Sequence, residues 1–375
     1  MRLTYRNFYM AGLFSCAVLI LLWLLKVQSQ FWDFEGQWIV STYLFEGVNP
    51  YVKHTSEFLA SRNLLPIPEG WGTSPWGLVL GQIFYPGFVS REVSKYAFMA
   101  LHLIVLLAVS LKAMKDFSEH KKQVMFIILL FFGSYLYPMQ GGNAGALMCL
   151  MLLLSWKISG KHQLSAGVLL AFAMVKPQLT LLFCLYFLIK QRYRLLAVAA
   201  SIDIFAWWIA SLSVHTSMFA LLHDFLNAGI GASGIYMGIM TLASPLMPSS
   251  SMAMYLSMLV GIVYALTYYY FNRGKGELQE IAPFCVATSF WCYAWGNELL
   301  ILLPVTVLAL QNIDKKHGIK QFRWAFVAGL TAFAPIVIIA IERLAIYTLN
   351  GADFNTFHIS FTAYIISLIS TLCKY

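Results

Sequence analysis

Asp33 and Glu35 stand in the run Phe31-Trp32-Asp33-Phe34-Glu35, directly after the first apolar stretch of the chain. A carboxylate at a membrane edge is costly to desolvate, so such a residue is a functional-site candidate by default. The bland alternative is a solvated loop that begins with two acids. Lys176 is the second unusual charge, set between two apolar arms with Pro177 behind it. A buried ammonium needs a counter-ion, and Glu298 or the phosphate of a ligand would serve. A lysine snorkelling from a helix end is the plain reading. Neutral hydrogen-bonding side chains, Gln140, Asn143, Gln178 and Asn297, fall at equivalent places in neighbouring short segments. Each alone would do for a helix cap, but together they suggest a polar cavity.

These residues belong to a chain that is mostly hydrocarbon. Of its 375 residues 60% are hydrophobic, 16% aromatic and only 11% charged, whereas about a quarter of the residues of an average soluble protein are charged. The expectation is an all-α integral membrane protein, a single polytopic domain over 1–375. The formal charge of +9 does not point to nucleic acid, because Lys and Arg sit in short clusters between apolar segments. Six cysteines without a C-x-x-C pair read as small core hydrophobes, with no metal site and no disulfide framework. The basic start followed by an apolar stretch lacks a small-residue cleavage site, so it reads as a retained first span.

Apolar windows fall at 8–27, 96–113, 123–139, 143–156, 163–176, 178–189, 195–213, 252–271, 281–296, 298–310, 324–346 and 359–373, which gives about 10–12 spans. With the N-terminus inside, all but seven of the 25 Lys and Arg lie on the cytoplasmic side. The exceptions are Lys26, Lys53, Arg62, Arg91, Lys95, Lys176 and Arg343. That bias puts Asp33 on the non-cytoplasmic face. The first external loop, 28–95, reads as a folded cap, with its aromatic stretch 76–88 lying along the interface. The second, 214–250, reads as a glycine-rich lip or a plain connector. Segments of 12 to 17 residues end below the membrane surface, where irregular polar backbone is tolerated only against protein or a water-filled cavity. The tips 140–143, 176–178 and 296–298 all face the side of Asp33.

In this order, Asp33, then Glu46-Gly47-Val48-Asn49-Pro50-Tyr51, then Gln140-Gly141-Gly142-Asn143, then Gly167 and Val175-Lys176-Pro177-Gln178, the chain resembles the polyprenol-phosphate-mannose-dependent mannosyltransferases, glycosyltransferase family 87 of the GT-C superfamily. The likeness runs through roughly the first 200 residues in motif order and beyond them in hydropathy alone. The family more often has Gly-Gln-x-Asn at the first tip and an apolar residue after the lysine. The resemblance implies a multi-pass GT-C helical bundle that moves a sugar, mannose or a related hexose or pentose, from a polyprenyl phosphate to a glycolipid or glycan. Asp33 would be the general base of an inverting transfer, since a carboxyl of ordinary pKa about 3.9 is ionised at neutral pH and can accept a hydroxyl proton. Lys176 would stabilise the departing phosphate, with Gln178, Gln140, Asn143, Asn297 and Glu298 on the donor side. Glu35, Asn49, Tyr51 and His54 would lie toward the acceptor. No cofactor is implied beyond the lipid-linked donor, and the setting would be a prokaryotic inner membrane with the site outside the cytoplasm. The competing class is a transporter or flippase of lipid-linked saccharides, in which the same charges couple to substrate or protons. A polymerase of lipid-linked repeats is a third reading.

Overall fold

The computed structural model describes residues 32–67, 73–116, 141–231, 250–289 and 300–313, with 324, 327 and 331 besides. Among these the chain is helical throughout, without a strand. Helix α1, Trp32–Phe45, carries Asp33 and Glu35 in its first turn, where carboxylates complement the exposed N–H groups and the positive end of the helix dipole. It ends at Gly47, whose φ of +66° lets the Val48 N–H turn back to the carbonyl of Tyr43 at 3.0 Å. The same six-to-one closure stops three further helices with Asn63, Gln191 and His215 in the left-handed position. They are α2 (Ser56–Ser61), α7 (Pro177–Ile189) and α8 (Tyr193–Ser213). A short α3, Gly77–Leu80, runs on as a tight turn over Gly81–Ile83, and α4 covers Arg91–Asp116.

Helices α5 (Gly145–Ile158), α6 (Gln163–Ala173), α7 and α8 are consecutive and pack side by side. α8 is the one described helix long and apolar enough to cross a membrane by itself. The three before it have 14, 11 and 13 residues, short of the ~20 that a full crossing needs. Packed beside α8, none of the three matches its length from end to end. α6 lies against α8 through Gly167, where an added Cβ would stand 2.7 Å from the Leu195 carbonyl oxygen and 2.7 Å from Val198 Cβ. Beyond α9 (Met218–Gly231) come α10 (Ser250–Asn272), α11 (Glu277–Thr288) and α12 (Leu303–Ile313), with α11 packed on α7, α10 and α12. Lys190 at the end of α7 binds Glu280 of α11 at 2.7 Å, and the Gly274 N–H donates to the other oxygen of that carboxylate.

Two of the stretches expected as external loops take a defined local form. Within 76–88, Leu78, Phe84 and Tyr85 are buried and α3 packs against α8 and α1, while Ile83 and Phe88 stay exposed. Of 214–250, the segment Met218–Gly231 forms α9, taking in the first glycines of its glycine-rich run.

Candidate active site

Phe34, 0% exposed, anchors the first turn of α1. Its ring lies 5.7 Å from that of Tyr85 and 5.6 Å from that of Phe98, and such edge and tilted contacts suit the aromatic quadrupole. The Tyr85 hydroxyl in turn grips the tip before α5, donating to the Gly142 carbonyl at 3.2 Å and accepting from the Ala144 N–H at 2.7 Å. Gly142 has φ +75°, the left-handed geometry a side chain resists, and this turn presents Asn143. One aromatic cluster thus fixes both the helix that carries Asp33 and the tip that carries Asn143.

The turn between α6 and α7 is held from the other side. The last carbonyls of a helix have no partner within it, and here the cap supplies donors. Trp76 Nε1 donates to the Met174 carbonyl at 2.7 Å, and Ser74 Oγ to that of Val175 at 3.1 Å. Pro177 opens α7, a position where its missing N–H costs nothing. Lys176 is left at the turn, half-buried.

The two tips meet at Asn143. Its Nδ2 donates to Asp33 Oδ2 at 2.9 Å, while its Oδ1 accepts from Lys176 Nζ at 3.1 Å and from the Gly145 N–H at 2.7 Å. An acid, an amide and an ammonium from three separate elements therefore form one connected group. All three side chains are half-buried, which leaves them reachable. Gln178 is half-buried in the first turn of α7, two residues beyond Lys176.

A second polar group joins the loop after α1 to α9. Asn49 Nδ2 donates to Asp224 Oδ2 at 2.8 Å, and Asn49 Oδ1 accepts from the Tyr51 N–H at 3.0 Å. His54 Nε2 is 2.8 Å from the Asn49 carbonyl oxygen. Tyr51 donates its hydroxyl to the Thr73 carbonyl at 2.6 Å and sets its ring edge-on to Phe225; burial holds its phenol well above its usual pKa. Glu35 pairs with Arg91 of α4 at 3.1 Å, both about half exposed. Burial, with the Arg91 charge beside it, lowers the pKa of neighbouring Lys95, against the pull of Glu35 and Glu92. Gln140, Asn297 and Glu298 lie outside the described residues.

Two contributors, Ser74 and Trp76, and one buried acid, Asp203, escape a reading of the sequence. Ser74 and Trp76 look like parts of an apolar interfacial stretch, yet they clamp the lysine turn; a polar Thr73-Ser74 pair before an aromatic was the available signal. Asp203 is hidden within the most apolar long helix. It is 6% exposed, on the α8 face that carries Ala199, Ala206 and Ala210, and neither carboxylate oxygen has a hydrogen-bond partner among the described residues.

A family model described as glycosyltransferase family 87 matches residues 75–278, a stretch that holds Asn143, Lys176, Gln178 and Asp224 and begins after Asp33. No curated protein and no solved structure matches the chain. The family match covers more than half of the 375 residues, and its helices deliver the linked tips at Asn143 and Lys176. On that ground the chain belongs to glycosyltransferase family 87, a family of membrane glycosyltransferases.

Proposed function

We propose that this glycosyltransferase moves a sugar, mannose or a close relative, from a polyprenyl-phosphate donor to a hydroxyl of a glycolipid or glycan, with inversion, on the non-cytoplasmic face of a multi-pass bundle. The observation that supports this reading best is the bonded group Asp33, Asn143 and Lys176. Asp33 takes the proton of the acceptor hydroxyl as its oxygen bonds to the anomeric carbon. The bond from that carbon to the phosphate oxygen breaks on the opposite face, and the polyprenyl phosphate departs as an anion. It needs positive charge where negative charge develops, not a proton, and Lys176 provides it at a half-dry turn. Asn143 positions both groups. Asn49, Tyr51 and His54 then belong to the acceptor side, tied to α9 through Asp224.

A lipid-linked donor suits tips carried by helices shorter than α8, because an isoprenoid tail stays in the bilayer while the sugar reaches the polar group. The test is transfer by the purified full chain in proteoliposomes, offered the same labelled sugar as polyprenyl phosphate or as nucleotide diphosphate. Transfer from the lipid-linked form alone is expected, with Lys176→Met lowering kcat about 10²-fold. Transfer from the nucleotide sugar alone would refute the donor class.

A further inference from the structure

The end of the bundle away from Asp33 carries a different charge pattern. Between residues 141 and 202 there is no Asp or Glu, but there are six Lys and Arg. Lys176 belongs to the site. The other five are Lys157 and Lys161 at the α5–α6 turn and Lys190, Arg192 and Arg194 at the α7–α8 turn. The α6–α8 contact at Gly167 and Leu195 brings these two turns together, and Arg192 reaches across to Gly160, where an added Cβ would stand 3.7 Å from Nη2. Of the acids on packed elements, Glu280 is taken by Lys190, and Glu277 lies in the same first turn of α11. Neither forms an ion pair with Lys157, Lys161, Arg192 or Arg194 among the described residues.

The surroundings indicate what the remaining four cations hold. Lys157 Nζ lies 6.0 Å above the Trp156 ring, and Tyr193 is exposed beside Arg192; both are residue types that favour the headgroup level. Leu154, Leu164 and Leu188 are exposed on the adjoining turns of the three helices. Phosphate-binding cations, interfacial aromatics and apolar side chains in that succession fit a phospholipid better than a free anion. The far end of α8 meets the cap, with the Ser213 carbonyl oxygen 3.3 Å from a Cβ added at Gly47. The 21 residues of α8 cover ~30 Å at 1.5 Å per residue, so the basic end lies a membrane thickness away.

We propose that the α5–α6 and α7–α8 turns form a headgroup site for an anionic phospholipid of the leaflet opposite the cap, with Lys157, Lys161, Arg192 and Arg194 as its cations. The site is independent of sugar transfer. Native mass spectrometry of the full chain, titrated in neutral detergent with phosphatidylglycerol or phosphatidylcholine of equal acyl chains, tests it. Phosphatidylglycerol is expected to be retained about tenfold more strongly, the scale set by several cations near one headgroup. That preference should vanish when Lys157, Lys161, Arg192 and Arg194 are all changed to Gln, and persist in Lys53→Gln/Arg62→Gln. Equal retention of the two lipids by the wild-type chain overturns the proposal, whether or not the quadruple variant folds. So does an unchanged preference in a folded quadruple variant. Displacement of the lipid by equimolar inorganic phosphate would mark a free-anion site instead and equally contradict it.

Discussion

The Asn143 amide cannot turn over without losing three hydrogen bonds at once. Flipped, it would set an oxygen against Asp33 Oδ2 and an NH2 group against Lys176 Nζ and the Gly145 N–H, and an amide has donors on one side only. Its orientation is therefore fixed by its neighbours, and it fixes the carboxylate in return. Asn143→Ala is expected to lower kcat about 10²-fold, the low end for losing a positioned proton acceptor, while KM for the donor stays near its wild-type value. A rise in KM with kcat unchanged would make Asn143 a donor-binding group instead. Asn143→Asp adds a second carboxylate beside Asp33, and like charges raise the pKa of one of them. The rising limb of the pH–rate profile should then move to higher pH, which a merely structural defect would not do.

Helix packing sets how exactly the tips meet. At Gly167→Ala the new methyl would press on the Leu195 backbone oxygen and on Val198, and a backbone atom cannot rotate away. The expected result is α6 displaced from α8, a loss of about 1–3 kcal/mol, and a fall in thermal stability readable by unfolding in detergent. At the opposite end of α7, Lys190 and Glu280 tie that helix to α11. Burial alone would raise the Glu280 pKa, but the Lys190 and Gly274 hydrogen bonds, with the charges of Lys190 and Arg273, bring it below its ordinary value of 4.5. A depressed carboxyl contributes stability that is complete above the unfolded value and is lost as pH falls through the folded one. Thermal stability of the wild-type chain should thus fall as pH drops below 4.5, and Glu280→Gln should flatten that acid limb while costing about 3 kcal/mol at neutral pH. The helices at 145–158, 163–173, 177–189 and 193–213 were legible from hydropathy, because an apolar run between polar turns has few alternatives. Asp33 and the two tips were legible as one side of the chain. Their bonding through Asn143 was not, since it depends on Tyr85 and Trp76, whose aromatic types suggest an interface as readily as a clamp. Nor was the Asn49–Asp224 bond, which joins positions 175 residues apart with no local pattern to announce it.

At the scale of the whole molecule, the basic turns and the cap lie at opposite ends of α8, and the positive-inside bias orients them. Single cysteines at Lys53 and at Lys161, in a background without the native cysteines, should be labelled from opposite sides of sealed vesicles by an impermeant maleimide, Lys53→Cys from outside the cytoplasm. Labelling of both from one side would contradict the proposed topology. On the proposed function, the lipid-linked donor, the recessed tips and the external cap would act as one device, in which the bilayer delivers the donor and the cap presents the acceptor to Asp33. The most direct measurement is single-turnover transfer from a polyprenyl-phosphate sugar by Asp33→Asn against wild type, with donor binding followed in parallel. A fall in rate of at least about 10²-fold with donor affinity retained is the result expected of a general base. Transfer at the wild-type rate by a folded Asp33→Asn chain would contradict it.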